Sequence, residues 1–177
     1  MLEFLKRNNA TQYDMNIFDN LFLDTQKINK IKNINNDKIA LLCDNNSIKK
    51  LDIDKIKQKG YSLSSLNYLK FIDQRKLDII FMCNAYRVFT EIERAIDVKN
   101  INLVIPKYKI LKNLFKTKKE KIINYNISKN KNIKVNKEFC SFNKNFVLIY
   151  ALSFCISNRF KEIIIYGCEI LIKRLEI

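Results

Sequence analysis

The chain has 177 residues, a length typical of one domain that can bury a substantial core. Its 33 Lys and Arg residues against 18 Asp and Glu give a formal net charge of +15, and the absence of histidine excludes imidazole-based metal binding and catalysis within this chain. Lys, Ile, Asn, Phe and Tyr, which have AT-rich codons, are abundant, so part of the lysine excess is attributable to an AT-biased genome.

The five cysteines are odd in number, lack CxxC spacing and lie mostly in or beside apolar runs. This pattern favours free thiols in a reducing cytosol over a disulfide scaffold or a zinc site, and we expect neither a metal nor a cofactor. Residues 1–9 contain no apolar signal core, and the longest apolar stretch, 146–156, is about half of the roughly 20 residues that a membrane-spanning helix needs. We therefore expect a cytoplasmic protein, with peripheral contact at the inner membrane as an alternative.

Residues 1–37 are predicted to form an N-terminal helical extension, and residues 38–177 the main domain. Apolar residues recur in the extension at roughly helical spacing: Tyr13, Ile17, Leu21 and Leu23. The polar segment 33–37 then separates the two parts. We expect the extension to pack on the edge of the domain, and a helix that binds a partner is the alternative.

A strand followed by a polar turn opens the main domain. Ile39–Leu42 is a short apolar run, as in a strand buried on both faces. The segment 43–47 that follows is rich in Asn and Asp, which favour turns, and Ser47 is predicted to cap a helix or helical turn that begins at Ile48. Such a strand-turn-helix unit can hold a phosphate at the helix N-terminus, and a plain connecting turn is the alternative.

Strands and helices alternate along the rest of the chain. Further strands are predicted at 61–66, 78–82, 101–105 and 161–166, the last of them buried, and short strands within 121–135. Helices are predicted at 86–96, 108–115 and 145–158, the last of them apolar all round and therefore buried. This alternation predicts an α/β fold with a Rossmann-like, mostly parallel sheet and helices on both faces.

Polar residues follow several of the predicted strands. Because ligands of parallel sheets bind beyond the carboxyl ends of the strands, these residues are candidates for a binding site. They are the segment 44–47, Asn67, Asn84 and the segment 167–169. Two asparagine amides at consecutive strand ends are suited to hydrogen bonds with a base or a ribose.

A dense group of lysines, which we call the lysine cluster, follows the fourth predicted strand. Its members are Lys107, Lys109, Lys112, Lys116, Lys118, Lys119 and Lys121. A cluster of this kind can bind phosphate or anionic lipid head groups, and a solvated helix face is the alternative. Lysine greatly outnumbers arginine, the better partner for phosphate and base edges, which disfavours nucleic acid as the ligand.

Several segments occur in an order that points to a known family. The turn 43–47 continues into Ile48–Asp52, asparagines follow the second and third strands at positions 67 and 84, and Phe160–Ile163 leads to the segment Tyr166–Ile170. Over about residues 38–170 the chain thereby resembles the bacterial lipooligosaccharide sialyltransferase family and the related domain of motility accessory factors, which take part in flagellin glycosylation.

The resemblance implies a Rossmann-like domain that binds a CMP-activated nonulosonic acid and transfers the sugar to a hydroxyl of a glycan acceptor during surface-glycan synthesis. It implies that residues of the three strand ends line the nucleotide pocket: Asp44, Asn45, Ser47, Asn67 and Asn84. It also places Glu169 near that pocket, where the family has an aspartate.

Two features distinguish this chain from that family. Cys43 and Asn45 stand where the family has turn glycines, and its catalytic histidine has no counterpart here. The catalytic residue is therefore unassigned, with Glu169 as the one candidate base. The sequence predicts either an active sialyltransferase-like glycosyltransferase with other chemistry, or a truncated or degenerate pseudoenzyme that keeps the fold. A basic module that binds nucleic acid or an anionic membrane through the lysine cluster is the alternative from a different class.

Overall fold

The computed structural model describes residues 37–98, 100–108, 121–128, 134–141 and 146–168. The strands in these ranges are β1 (Lys38–Leu42), β2 (Ser62–Leu66), β3 (Ile79–Phe81), β4 (Asn102–Ile105), β5 (Ile122–Asn124), β6 (Asn126–Ser128), β7 (Lys134–Val135), β8 (Phe139–Ser141) and β9 (Glu162–Tyr166). The helices are α1 (Ile53–Gln58), α2 (Ala85–Ile96) and α3 (Val147–Ser157), and two 3-10 helices span Asn46–Lys50 and Gln74–Lys76.

Six strands form one parallel sheet with the order β5-β4-β3-β2-β1-β9. In the centre of the sheet, Ile39 of β1 is opposite Ser62 of β2 on one side and Ile163 of β9 on the other. The prediction of a Rossmann-like α/β fold is confirmed. Five of the six strands were predicted individually, and the observed bounds of each lie within one residue of the predicted bounds. A second sheet of three short strands, with the order β6-β8-β7, was not predicted as a separate sheet.

The two faces of the large sheet are covered by different helices. Ala40 and Leu42 contribute to a core shared with α1 and α2. Ile39 and Leu41 point the other way, into a core shared with α3 and the small sheet. The alternation follows from the two-residue period of a strand, so β1 is buried on both faces as its apolar run predicts.

The strand β2 is fully buried although three of its five residues are serines. Burial of a hydroxyl is tolerated when the hydroxyl is hydrogen-bonded. Ser64 Oγ donates to the Ala40 carbonyl oxygen at 2.9 Å, and Ser65 Oγ donates to the Asn67 carbonyl oxygen at 2.9 Å. These bonds join β2 to β1 and to its own carboxyl end, close to the candidate site.

Two predictions of complete burial are wrong. β9 is an edge strand of the large sheet as described, and its residues are half-buried, with Ile165 39% exposed. The helix predicted to be buried all round is α3, which buries Tyr150, Ala151, Phe154 and Cys155 but leaves Ile156 61% exposed. An apolar composition does not reveal which face of an element has a packing partner.

Some predicted elements lie outside the described residues. These are the N-terminal extension up to residue 36 and the greater part of the helix predicted at 108–115. Asp37 is described, and its carbonyl oxygen accepts a bond from the Lys161 backbone N–H at 2.8 Å, which joins the start of the domain to the start of β9. None of the helices in the described part of the chain is both long enough and apolar enough to cross a membrane.

Candidate functional site

The order of the strands creates a switch point between β1 and β9. From β1 the sheet grows in one direction through β2, β3, β4 and β5, and the chain later adds β9 on the other side of β1. The helix α1, which follows β1, packs on one face of the sheet, and α3, which leads into β9, packs on the other. In open parallel sheets, ligands bind in the crevice that forms at the carboxyl end of such a point.

The turn after β1 is held by Asn45. Its backbone N–H donates to the Cys43 carbonyl oxygen at 2.9 Å, and its side-chain Oδ1 accepts a bond from the Ser47 N–H at 2.8 Å. Asn45 is thus the N-cap of the 3-10 helix, and the prediction that Ser47 has this role is wrong because the asparagine side chain closes the turn two residues earlier. Asp44 and Ser47 are exposed on this turn.

The predicted helix start at Ile48 is also corrected. A 3-10 helix ends at Lys50, and the α-helix begins only at Ile53, with Asp52 as its cap through a 3.0 Å bond from the Lys55 N–H. Both helices are shorter than two full turns, so neither offers the aligned dipole of a long helix to a phosphate. The helix geometry therefore favours the plain connecting turn over a phosphate site at this helix start.

Gly167 packs against the turn after β1 from the β9 side. It has a φ of +71°, and a Cβ at this position would lie 2.6 Å from Ile48 Cγ2 and 3.2 Å from Asn45 Cβ. The Cys43 N–H donates to the Tyr166 carbonyl oxygen at 2.9 Å, so the two strand ends stay paired beyond the last paired residues of the sheet. The next residue, Cys168, is exposed, and burial together with the thiol of this residue raises the pKa of Cys43.

Asn67 lies at the carboxyl end of β2 with a left-handed backbone, φ +67°. Its N–H donates to the Phe81 carbonyl oxygen at 2.8 Å and its carbonyl accepts the Ser65 hydroxyl. Asparagine is one of the few residues that adopt this backbone readily, which explains part of its identity. Among the described residues, nothing hydrogen-bonds its side-chain amide, which is therefore available to a ligand.

Asn84 lies at the carboxyl end of β3 and is the N-cap of α2. Its Oδ1 accepts a bond from the Arg87 backbone N–H at 3.3 Å. Since β1, β2 and β3 are adjacent and parallel, the structure brings Asn45, Asn67 and Asn84 to one edge of the sheet, as predicted. Two of these three asparagines have a structural role as caps.

Arg87 and Glu91 are functional candidates that the sequence analysis missed. Glu91 is only 9% exposed, and it accepts one bond from Arg87 Nη1 at 2.7 Å and another from the Tyr68 N–H at 3.2 Å. This carboxylate therefore links α2 to the loop after β2, and it holds the half-exposed guanidinium of Arg87 close to the backbone of Tyr68, the residue after Asn67. The spacing of four residues between Arg87 and Glu91 was the available signal.

Only two members of the lysine cluster, Lys107 and Lys121, are described, and Lys109, Lys112, Lys116, Lys118 and Lys119 lie outside the described residues. The Lys121 ammonium donates to the carbonyl oxygens of Ile96 at 2.7 Å and Val98 at 3.0 Å. It thus caps the C-terminal end of α2, where a cation interacts favourably with the helix dipole. Glu169, the candidate base, also lies outside the described residues.

No group of three or more His, Cys, Asp or Glu side chains suited to a metal ion occurs among the described residues. The fold and the switch point define the class as an α/β protein of Rossmann-like architecture. Comparison of the chain with protein-family models, with curated proteins and with solved structures gave no match.

Proposed function

We propose that this chain binds a cytidine nucleotide at the carboxyl edge of its parallel sheet, as the donor-binding domain of a sialyltransferase-like protein. The observation that carries the proposal is that two available polar groups, one at the end of β2 and one in the first turn of α2, are linked through Glu91. These are the unpartnered amide of Asn67 after β2 and the half-exposed guanidinium of Arg87 after β3. An amide suits the hydrogen-bonding edge of a base, and a guanidinium suits a phosphate.

The position of Arg87 supports an anionic ligand. It lies in the first turn of α2, where the helix dipole is positive and a cation is unfavourable. Glu91 compensates through one guanidinium nitrogen, Nη1. The arginine side chain is 47% exposed, so its outer donors can bond a phosphate in the forked geometry that lysine cannot provide.

The proposal has two parts, binding of the CMP-activated donor and transfer of its sugar to an acceptor. Transfer of a nonulosonic acid from CMP to an acceptor hydroxyl needs a base for that hydroxyl. The chain has no histidine, and Glu169 is the carboxylate that the family resemblance assigns to the neighbourhood of the pocket. A protein that binds CMP but transfers no sugar would correspond to the pseudoenzyme form of the same proposal.

The first test is a thermal-shift titration of the full chain with CMP, with UMP, AMP and a short single-stranded DNA as controls. A ligand that binds only the folded state raises the melting temperature. We expect a concentration-dependent shift with CMP that exceeds the shifts with UMP and AMP. The absence of a shift with CMP would contradict the proposal, and a shift with DNA alone would favour the basic binding module instead.

Variants connect the binding to the named residues. Asn67→Gly removes the amide while it preserves the left-handed backbone, and Arg87→Lys keeps a cation beside Glu91 but removes the forked donors. Each is expected to weaken CMP binding about tenfold, the equivalent of one lost hydrogen bond. Arg94→Lys, in the last turn of the same helix, is the matched control and should bind like the wild type. Equal affinity of all four proteins would contradict the assigned site.

A further inference from the structure

The two cysteines that flank the switch point lie next to each other in space. Cys43 directly follows β1 and Cys168 follows β9 by two residues. The pairing of these strands extends to Leu42 opposite Tyr166, and the Cys43 N–H continues it with its 2.9 Å bond to the Tyr166 carbonyl oxygen. Far apart in sequence, the two cysteines are thus brought together by the topology of the sheet.

Gly167 keeps the chain after β9 close to Cys43. Its φ of +71° turns the chain sharply after β9, and its Cβ position lies 3.4 Å from the Cys43 carbonyl oxygen. The residue after this turn is Cys168, which thereby lies at the end of β9 beside Cys43 at the end of β1. Burial and this neighbouring thiol raise the pKa of Cys43 to about 11.

The pair differs from the other cysteines in exposure. Cys168 is exposed and Cys43 is half-buried, whereas Cys83, Cys140 and Cys155 are buried. A reagent from solution therefore meets Cys168 first and finds Cys43 directly behind it. In redox-sensitive pairs, an accessible cysteine often lies next to a resolving cysteine, and Cys168 and Cys43 have these two positions.

We propose that Cys43 and Cys168 are a redox-active dithiol that closes to an intramolecular disulfide by exchange with a low-molecular-weight disulfide. The proposal is independent of nucleotide binding, because it depends only on the position of the two cysteines at paired strand ends. The closed form links the carboxyl ends of β1 and β9 covalently across the switch point.

The reaction has two steps. The Cys168 sulfur, after loss of its proton, attacks one sulfur of the small disulfide, whose S–S bond breaks and whose other half leaves as a thiolate that takes up a proton. The Cys43 sulfur, after loss of its proton to solvent, attacks the Cys168 sulfur of the mixed disulfide and releases the second small thiol. Two electrons pass from the two protein thiols to the small disulfide, which is reduced to two thiols.

The test uses the reduced full chain, glutathione disulfide as oxidant, and peptide mapping by mass spectrometry without reduction. Trypsin places the two cysteines in separate peptides, 39–49 and 162–173, each with one cysteine. We expect these two peptides as a cross-linked pair from a monomeric protein that carries no glutathione at either site. Separate glutathione adducts on both cysteines, unreacted cysteines, or a cross-link only between two chains would overturn the proposal.

Three variants test the roles assigned to the two cysteines. Cys43→Ser should trap glutathione on Cys168, because the second step has lost its attacking thiol. Cys168→Ser should leave Cys43 largely unreacted, because the accessible thiol is gone. Cys155→Ala, the control at a buried cysteine of α3, should keep the cross-link. A cross-link that forms equally well in Cys43→Ser would show that another cysteine is the partner of Cys168.

Discussion

Position 167 requires glycine for two reasons, its left-handed backbone and the closeness of the Ile48 side chain. Its φ of +71° costs an L-residue about 1 to 2 kcal/mol, and an added methyl group would meet Ile48 Cγ2 at 2.6 Å, an overlap that typically costs a further 1 to 3 kcal/mol or so. We therefore expect Gly167→Ala to lower the free energy of unfolding by about 2 to 5 kcal/mol, measured by urea denaturation.

The matched control is Gly60→Ala. Gly60 has a similar φ of +82°, but nothing lies within 4 Å of its Cβ position. Only the backbone cost applies there, about 1 to 2 kcal/mol. Equal losses in the two variants would show that the close approach of Gly167 to the turn after β1 does not contribute to stability.

At the same scale, the asparagines at the strand ends illustrate what a sequence can reveal about a site. Their position after strands was predictable from the apolar runs before them. Their individual roles were not, because a cap, a left-handed turn and a ligand contact all favour asparagine. The structure separates them: Asn45 and Asn84 cap helices, and Asn67 has a left-handed backbone with an available amide.

The helix α3 covers one face of the large sheet through a row of aromatic contacts. Phe154 is fully buried, with its ring centroid 5.5 Å from that of Phe81 and 5.4 Å from that of Tyr125. Its truncation leaves a cavity between the sheet and the helix. We expect Phe154→Ala to lower the free energy of unfolding by about 3 to 5 kcal/mol, measured by chemical denaturation.

Ile156, two residues further along the same helix, is the control because it is 61% exposed. Ile156→Ala is expected to change the free energy of unfolding by no more than about 0.5 kcal/mol. A large loss for this variant would mean that the exposed side of α3 has a packing partner. Both residues are apolar, so the sequence does not distinguish them. Packing of α3 against the sheet buries Phe154 and leaves Ile156 exposed.

At the scale of the whole molecule, an ionic cluster joins the amino ends of three strands, opposite the candidate site. Glu162 of β9 accepts a hydrogen bond from the Tyr61 hydroxyl just before β2, and it forms a 2.9 Å ion pair with Lys38 of β1. The Lys38 ammonium also lies 5.4 Å from the centre of the Tyr61 ring. The hydrogen bonds from Tyr61 and Lys38 lower the pKa of the Glu162 carboxyl below its ordinary value of 4.5.

This shift predicts a pH dependence with a definite sign. A group whose folded-state pKa is lowered contributes stability above its unfolded value, and that contribution is lost as the pH falls through the folded value. We expect the melting temperature of the wild type to drop below about pH 4.5 more steeply than that of Glu162→Gln, which cannot titrate.

The control for this prediction is Glu93→Gln, at an exposed carboxylate of α2 with no ion pair among the described residues. Its pH profile should parallel that of the wild type. If Glu162→Gln also follows the wild-type profile, the cluster at the amino ends of the strands contributes nothing to acid stability.

The class of fold was readable from the chain because it depends on local patterns. The apolar runs, the amphipathic segment that became α2 and the Asn- and Asp-rich turns each depend on neighbours within a few residues. Their alternation in the chain is sufficient to predict a parallel sheet with helices on both faces, since parallel strands need such crossover connections.

The order of the strands, and the contacts that depend on this order, could not be predicted from the sequence and were determined only from the tertiary structure. That β9 lies beside β1 sets the switch point and brings Cys168 to Cys43, and it leaves β9 at the edge of the sheet that the described residues form. The burial of Glu91 between α2 and the loop after β2, and the use of Lys121 as a helix cap, likewise depend on contacts between distant segments. Such contacts leave no periodic trace in the sequence, because the free energy that selects them comes from packing and hydrogen bonding in three dimensions.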